Sequence, residues 1–304
     1  MFIPKKRLLW ESKAIEKAKD IKKRKNQSHE DFIRLHNPTL IEQLDQIYSY
    51  DNACSVKVYL LEPNTLNKIS QAISSETDLT NVCTTPRVFD KNSIDIGEYY
   101  LAKIDKLHEN SYKIWYVDFK ESVYSFGFSQ TDKYIRTVKS NIYIKNSLMF
   151  IRGHNSSIPN ILDKFLVDFG LSKTDINSLM PVNKLHDITS KLKRLDSINI
   201  STIKMEMENP IEGVPANYVT FSVPIEENGD IENIDINDDT AKIIMDSSNI
   251  SKSFEYIYED NGYKESCTLA ITTVGSAIRI IGRVSDNAIF NLAIGIKESY
   301  EQLQ

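Results

Sequence analysis

Residues 97–105, GEYYLAKID, and 112–119, YKIWYVDF, decide the fold class. Both are short and rich in aromatic and β-branched side chains, and the polar stretch 109–111 separates them, so they read as two strands of a hairpin. Toward the N-terminus, SVKVYLLE at 55–62 reads as another strand and TLNKISQAI at 65–73 as a helix. Toward the C-terminus, SVYSFGF (122–128), NIYIKN (141–146) and LMFIRG (148–153) continue the strand pattern, with a hairpin turn expected at Lys120-Glu121-Ser122. A helix should follow, capped by Ser156 or Ser157, with Pro159 in its first turn and Gly170 just past its end. Residues 51–172 therefore form a mixed α/β region.

The first fifty residues read differently. In SKAIEKAKDIKKRKN (12–26), Ala14, Ile15, Ala18 and Ile21 fall on one helical face, with Ser12 as the expected cap. In SHEDFIRLHNPTLIEQLDQIY (28–48), Ser28 caps a second helix whose early acids suit the positive helix end, and Pro38 should divide it. Residues 1–50 thus form a basic helical N-terminal segment. Residues 173–304 open with a helical connector, its stripe formed by Leu185, Ile188, Leu192 and Leu195. They then turn β-rich, with hairpins expected at Asn228-Gly229 and Asn261-Gly262 because both central positions of a type I′ turn need positive φ. A Gly282 turn, a Ser285 cap and a closing helix that buries Ile289, Ala293 and Ile296 end the chain. SLMFIRGHNSSIPNILDKFL (147–166) and SAIRIIGRVSDNAIFNLAIG (276–295) share a strand, glycine turn and capped helix, which raises a duplicated unit. The class is α+β: a helical N-terminus, a central mixed α/β region, and a β-rich C-terminal region closed by a terminal helix.

Composition bounds the function. A chain of 304 residues with 41% hydrophobic and 26% charged residues has the balance of a soluble globular protein. It contains no apolar run long enough to span a bilayer and no signal-peptide core, so a cytoplasmic, non-membrane protein is expected. Cys54, Cys83 and Cys267 are odd in number and far apart, which fits neither a disulfide framework nor a zinc ribbon, and no cofactor is expected. The charge is sorted: residues 1–26 hold ten Lys or Arg against three acids, the remainder 27 against 39.

That asymmetry sets the leading expectation, non-specific DNA or RNA binding without catalysis. Lys5, Lys6, Arg7, Lys22, Lys23, Arg24 and Lys25 would meet phosphates, with a second basic surface around Arg136, Lys139 and Arg152. A structural alternative is a partner-binding or homo-oligomerising protein whose basic helix docks on an acidic surface, the stretch 226–239 carrying seven acids and no base.

A catalytic alternative rests on Asp105, Asp118 and Lys120. Two acids on adjacent strands with a lysine two residues on resemble the core of metal-dependent nucleases of the PD-(D/E)xK type. That resemblance implies a bound Mg2+ held by Asp105 and Asp118, with Lys120 positioning the attacking water. Alternation would put Asp118 and Lys120 on one face and Trp115, Val117 and Phe119 on the buried one. A turn between Asn110 and Ser111 would set Asp105 opposite Tyr116, leaving the acids offset by two residues, about 7 Å. On that register they flank a hairpin.

Other motifs carry less. The strings FIRLHN (32–37) and FIRGHN (150–155) lie in different contexts, so their Arg-His pairs would not act alike. Arg152, His154 and Asn155 sit where a strand enters a helix N-terminus, where backbone N–H groups can hold an anion. Arg24 and His29 match an R-x(4)-H ribonuclease spacing without that family's helical bundle. No P-loop, dinucleotide, serine-hydrolase or zincin motif occurs.

Overall fold

The computed structural model describes residues 3–48, 54–90, 93–126, 130–181, 184, 188, 191–192, 195, 199–208, 218–224, 250–272 and 277–304. In chain order its elements are α1 (Lys5–Lys19), α2 (His29–His36), α3 (Pro38–Ile47), β1 (Cys54–Leu61), α4 (Thr65–Ser75), α5 (Thr77–Thr84), β2 (Tyr99–His108), β3 (Ser111–Phe126), β4 (Gln130–Lys145), β5 (Leu148–Gly153), α6 (Ile158–Asp168), β6 (Ile176–Ser178), β7 (Asn199–Glu208), β8 (Tyr218–Pro224), β9 (Ile250–Asp260), β10 (Tyr263–Thr272), β11 (Ala277–Ile281) and α7 (Asp286–Glu301). The class is α+β. No helix of the described residues is long and apolar enough to cross a membrane. Two compact units form, a central one of Cys54–Ile188 with Thr273–Ala277 and Tyr300–Gln304, and a terminal one of Met1–Ala53, Thr189–Thr272 and Ile278–Ser299.

In the central unit the strand order is β2-β3-β4-β5-β1-β6, antiparallel at each step. On β3, Tyr112, Ile114 and Tyr116 share one face, and they form one core with Ile69 and Ala72 of α4, Val82 of α5, and Ile161 and Phe165 of α6. The helices α4 and α6 form as expected, while α5 was not anticipated. Its TDLTNVCT holds only two apolar side chains that become buried, Leu79 and Val82, too few for a visible period. Ser157 precedes α6 without capping it through its side chain, because a 3-10 turn over Asn155–Ser157 leads into the helix instead. The turn expected at Lys120-Glu121-Ser122 does not exist. β3 runs unbroken through it and pairs with β4 out to Phe126↔Gln130.

In the terminal unit β8-β7-β9-β10 pair antiparallel, with β11 beside β10. The Asn261-Gly262 hairpin forms as read: Asn261 at φ 50° and Gly262 at φ 82° join Asp260↔Tyr263. Ser285 caps α7 by accepting from the Ala288 N–H at 3.2 Å, and Ile289, Ala293 and Ile296 are buried. The Tyr256 hydroxyl fastens β9 to that helix by donating to the Ala288 carbonyl at 3.0 Å. Ser28 caps α2, accepting from Asp31 N–H at 3.0 Å, and Pro38 begins α3, so the expected division holds. A separate core joins Ile3, Ile15, Phe32, Ile33, Ile41, Leu44 and Tyr48. Of the expected connector stripe, Ile188 and Leu192 are helical and buried and Leu195 is half-buried, whereas Leu185, the Asn228-Gly229 hairpin and the acidic stretch 226–239 lie outside the described residues.

Candidate nucleic-acid interface

Helix α1 starts at Lys5 behind Pro4, two turns before the expected Ser12 cap, and Ser12 is buried inside it. The reason is a buried side that includes two charged residues. Arg7, Glu11, Ser12 and Ile15 recur at spacings of three and four and all turn inward. Arg7 is only 4% exposed. Its Nη2 lies 2.7 Å from Glu11 and 3.4 Å from Asp260 at the end of β9. The guanidinium carbon sits 4.6 Å from the centre of the Tyr263 ring and 5.3 Å from that of Trp10. Arg7 is therefore a bolt between helix and hairpin, and its expected phosphate contact is withdrawn.

Beneath the bolt, Glu265 is buried and accepts from the Tyr48 hydroxyl at 2.6 Å and the Ser285 N–H at 2.8 Å. Burial, reinforced by Glu265, pushes the Tyr48 hydroxyl far above its ordinary pKa, so it stays a donor.

The opposite side of α1 is the basic one. Lys6, Lys13 and Lys17, seven and four residues apart, lie on one exposed stripe, with Lys5 also exposed. The stripe spans about 16 Å along the helix axis. Lys17 and Lys19 suit the negative helix end, and the helix stops where Asp20 turns left-handed at φ 50°. Lys22, Arg24 and Lys25 then follow, all exposed. Lys23 is half-buried. Its N–H donates to Glu16 at 2.9 Å and its ammonium lies 3.0 Å from Nδ1 of His29. Burial, and then the Lys23 charge, lower the His29 pKa. Sequence reading missed Lys13 and Lys17, although their spacing from Lys6 was the signal available.

Arg152 on β5 is fully buried, and its Nε donates to Cys54 Sγ at 3.2 Å. It cannot reach a phosphate, so that expectation is corrected: the side chain is wholly buried, with its Nε turned to the buried Cys54. His154 is exposed, with Nδ1 2.8 Å from Ser156 Oγ, so Arg152 and His154 do not converge on an anion. Arg136 and Lys139 are exposed on β4.

The structure does not bring Asp105 and Asp118 together. Asp105 pairs with Lys113 and Asp118 with Tyr99, rather than Asp105 with Tyr116, because the strands close at His108↔Ser111 and register shifts occur near Ala102 and Leu107. Five residues of β3 separate the two positions, about 17 Å, and the odd offset places the carboxylates on opposite faces. Asp105 accepts from the Trp115 indole N–H at 2.9 Å and pairs with Lys103 at 2.5 Å. Asp118 is 2% exposed and has Lys120 at 3.4 Å, while its Oδ1 has no hydrogen-bond partner among the described residues. The face expected to be chemical is the one that packs against the helices. The described residues contain no group of three or more His, Cys, Asp or Glu able to hold a metal ion. Compared with known proteins, the chain matches no family model and no curated sequence.

Proposed function

We propose that the protein associates with nucleic-acid phosphates, without sequence preference, through the exposed stripe of α1 and the segment after it. The observation that carries this reading is the division of one helix into a buried side, bolted by Arg7, and an exposed side of Lys6, Lys13 and Lys17 that continues into Lys22, Arg24 and Lys25. A basic stripe held on a packed helix is preorganised, so little ordering entropy opposes binding. The acidic remainder of the chain opposes it, so weak, salt-sensitive affinity is expected.

The test replaces Lys6, Lys13 and Lys17 with Gln, and Lys22, Arg24 and Lys25 with Ser, leaving the buried side intact. Binding of duplex DNA and of RNA to the full chain at low salt should fall at least about tenfold with an unchanged melting temperature. Equal affinity of wild type and variant, or no binding by the wild type, would remove the reading.

A further inference from the structure

Trp10 stands inside the basic stripe of α1. Residues 6, 10, 13 and 17 follow at spacings of four, three and four, which confines them to an arc of about 60° on the helix. Along the axis Trp10 is about 6 Å from Lys6 and about 4.5 Å from Lys13. It is half-buried, whereas Lys6, Lys13 and Lys17 are exposed. The inner side of the ring is fixed within the terminal unit. The Arg7 guanidinium carbon lies 5.3 Å from the ring centre, and the Tyr263 ring packs against it at 5.8 Å with a 59° tilt. Its six-membered edge rests over the β9–β10 turn, where a Cβ added to Gly262 would come 3.7 Å from Trp10 Cζ2. Glu11 and Asp260, the acids on that flank, are both paired with Arg7. An indole held by its inner side thus presents its outer part between two lysines.

We propose that Trp10 is a stacking platform for an unpaired base, and that the stripe takes single-stranded nucleic acid, DNA or RNA, in preference to a duplex. The inference rests on the phosphate-binding reading above and names the form of its ligand. In a duplex the base faces are covered by their neighbours in the stack, so a helix laid on the outside meets phosphates, and an aromatic side chain there gains little. An unpaired strand can splay a base onto an aromatic ring while the phosphates on either side of that base meet Lys6 and Lys13. Every base has a π-face, so stacking is compatible with the lack of sequence preference. A ring already held by Arg7, Tyr263 and the turn at Gly262 loses little freedom when a base settles on it.

Three probes of equal length separate base from phosphate: oligo(dT), the same strand without bases, and a duplex. At moderate salt, where the phosphate contribution is weakened, the full chain should bind oligo(dT) about tenfold more tightly than the abasic strand, and more tightly than the duplex. Trp10→Ala should bring the ratio of oligo(dT) to abasic affinity close to one. Trp10→Phe, which keeps a smaller stacking surface, should retain part of it. Neither change removes a charge, so the salt slope should stay as it was. A second readout leaves Trp10 in place. With Trp115→Phe, Trp10 is the only tryptophan of the chain, and its fluorescence should be quenched by oligo(dT) and not by the abasic strand. The proposal is overturned by a wild type that binds the abasic strand or the duplex as tightly as oligo(dT), or by fluorescence that does not respond. A Trp10→Ala variant that weakens all three probes alike overturns it too, and would make Trp10 a cover for Arg7 alone. In those cases the phosphate reading stands as long as the combined substitution of the basic residues still abolishes binding; no binding of any probe removes both.

Discussion

Arg7 shows how a charge inside a basic run can belong to the fold. Its ion pairs with Glu11 and Asp260 and its place against Trp10 and Tyr263 use the flat, delocalised guanidinium on both its edge and its face. Replacing Arg7 by Met leaves Glu11 buried without its partner, and should cost about 3 kcal/mol in urea unfolding. Arg7→Lys should recover only part of that, because an ammonium keeps the charge but not the stacking, while Lys6→Ala one residue away should stay within about 0.5 kcal/mol. His29 gives a pH-dependent counterpart. Its folded pKa lies below the ordinary 6.5, so below that value the unfolded chain binds the proton more readily. Stability from this site is complete at neutral pH and falls as the pH drops through 6.5 toward the lower folded value. His29→Gln should flatten the acid side of a stability curve measured between about pH 7 and 5.

At the scale of elements, what the chain declared locally could be read, and what depended on distant partners could not. Ser28, Pro38, Asn261-Gly262 and Ser285 act through their own backbone neighbours, and each does what its residue type requires. The start of α1 was hidden because its inward side is half charged, and it takes Asp260 and Tyr263, over 250 residues away, to make Arg7 an interior residue. The β2–β3 register was hidden because a bulge has no fixed sequence mark. The same lack of a local signal let Lys120-Glu121-Ser122, polar but paired, pass for a turn. The glycines allow a test at this scale. Gly262→Ala, at φ 82°, should cost about 1 kcal/mol for a left-handed residue. Gly282→Ala should cost more in the same unfolding experiment, since at φ 130° an added Cβ would also sit 3.3 Å from Cβ of Cys267.

For the whole molecule, the proposed binding surface and the core of the terminal unit share one helix. Ile3 and Ile15 pack with Phe32, Ile33 and Leu44, so deleting residues 1–26 would remove core and ligand contacts together, and loss of binding by that truncation would prove nothing. The salt dependence separates them. Each phosphate neutralised on duplex DNA releases counterions worth a slope of about 0.9 in log K against log salt, and about 0.7 on a single strand. If Lys6, Lys13, Lys17, Lys22, Arg24 and Lys25 all engage, the duplex slope should be about −5 and the single-strand slope about −4. Reverting the charges in two groups should then divide the duplex slope about equally between the α1 stripe and the segment after it. Titrations at four or five salt concentrations suffice to measure this. A duplex slope near zero in the wild type, or one that neither group of substitutions reduces, would show that the basic side of α1 is a solvated face and that any affinity arises elsewhere on the chain.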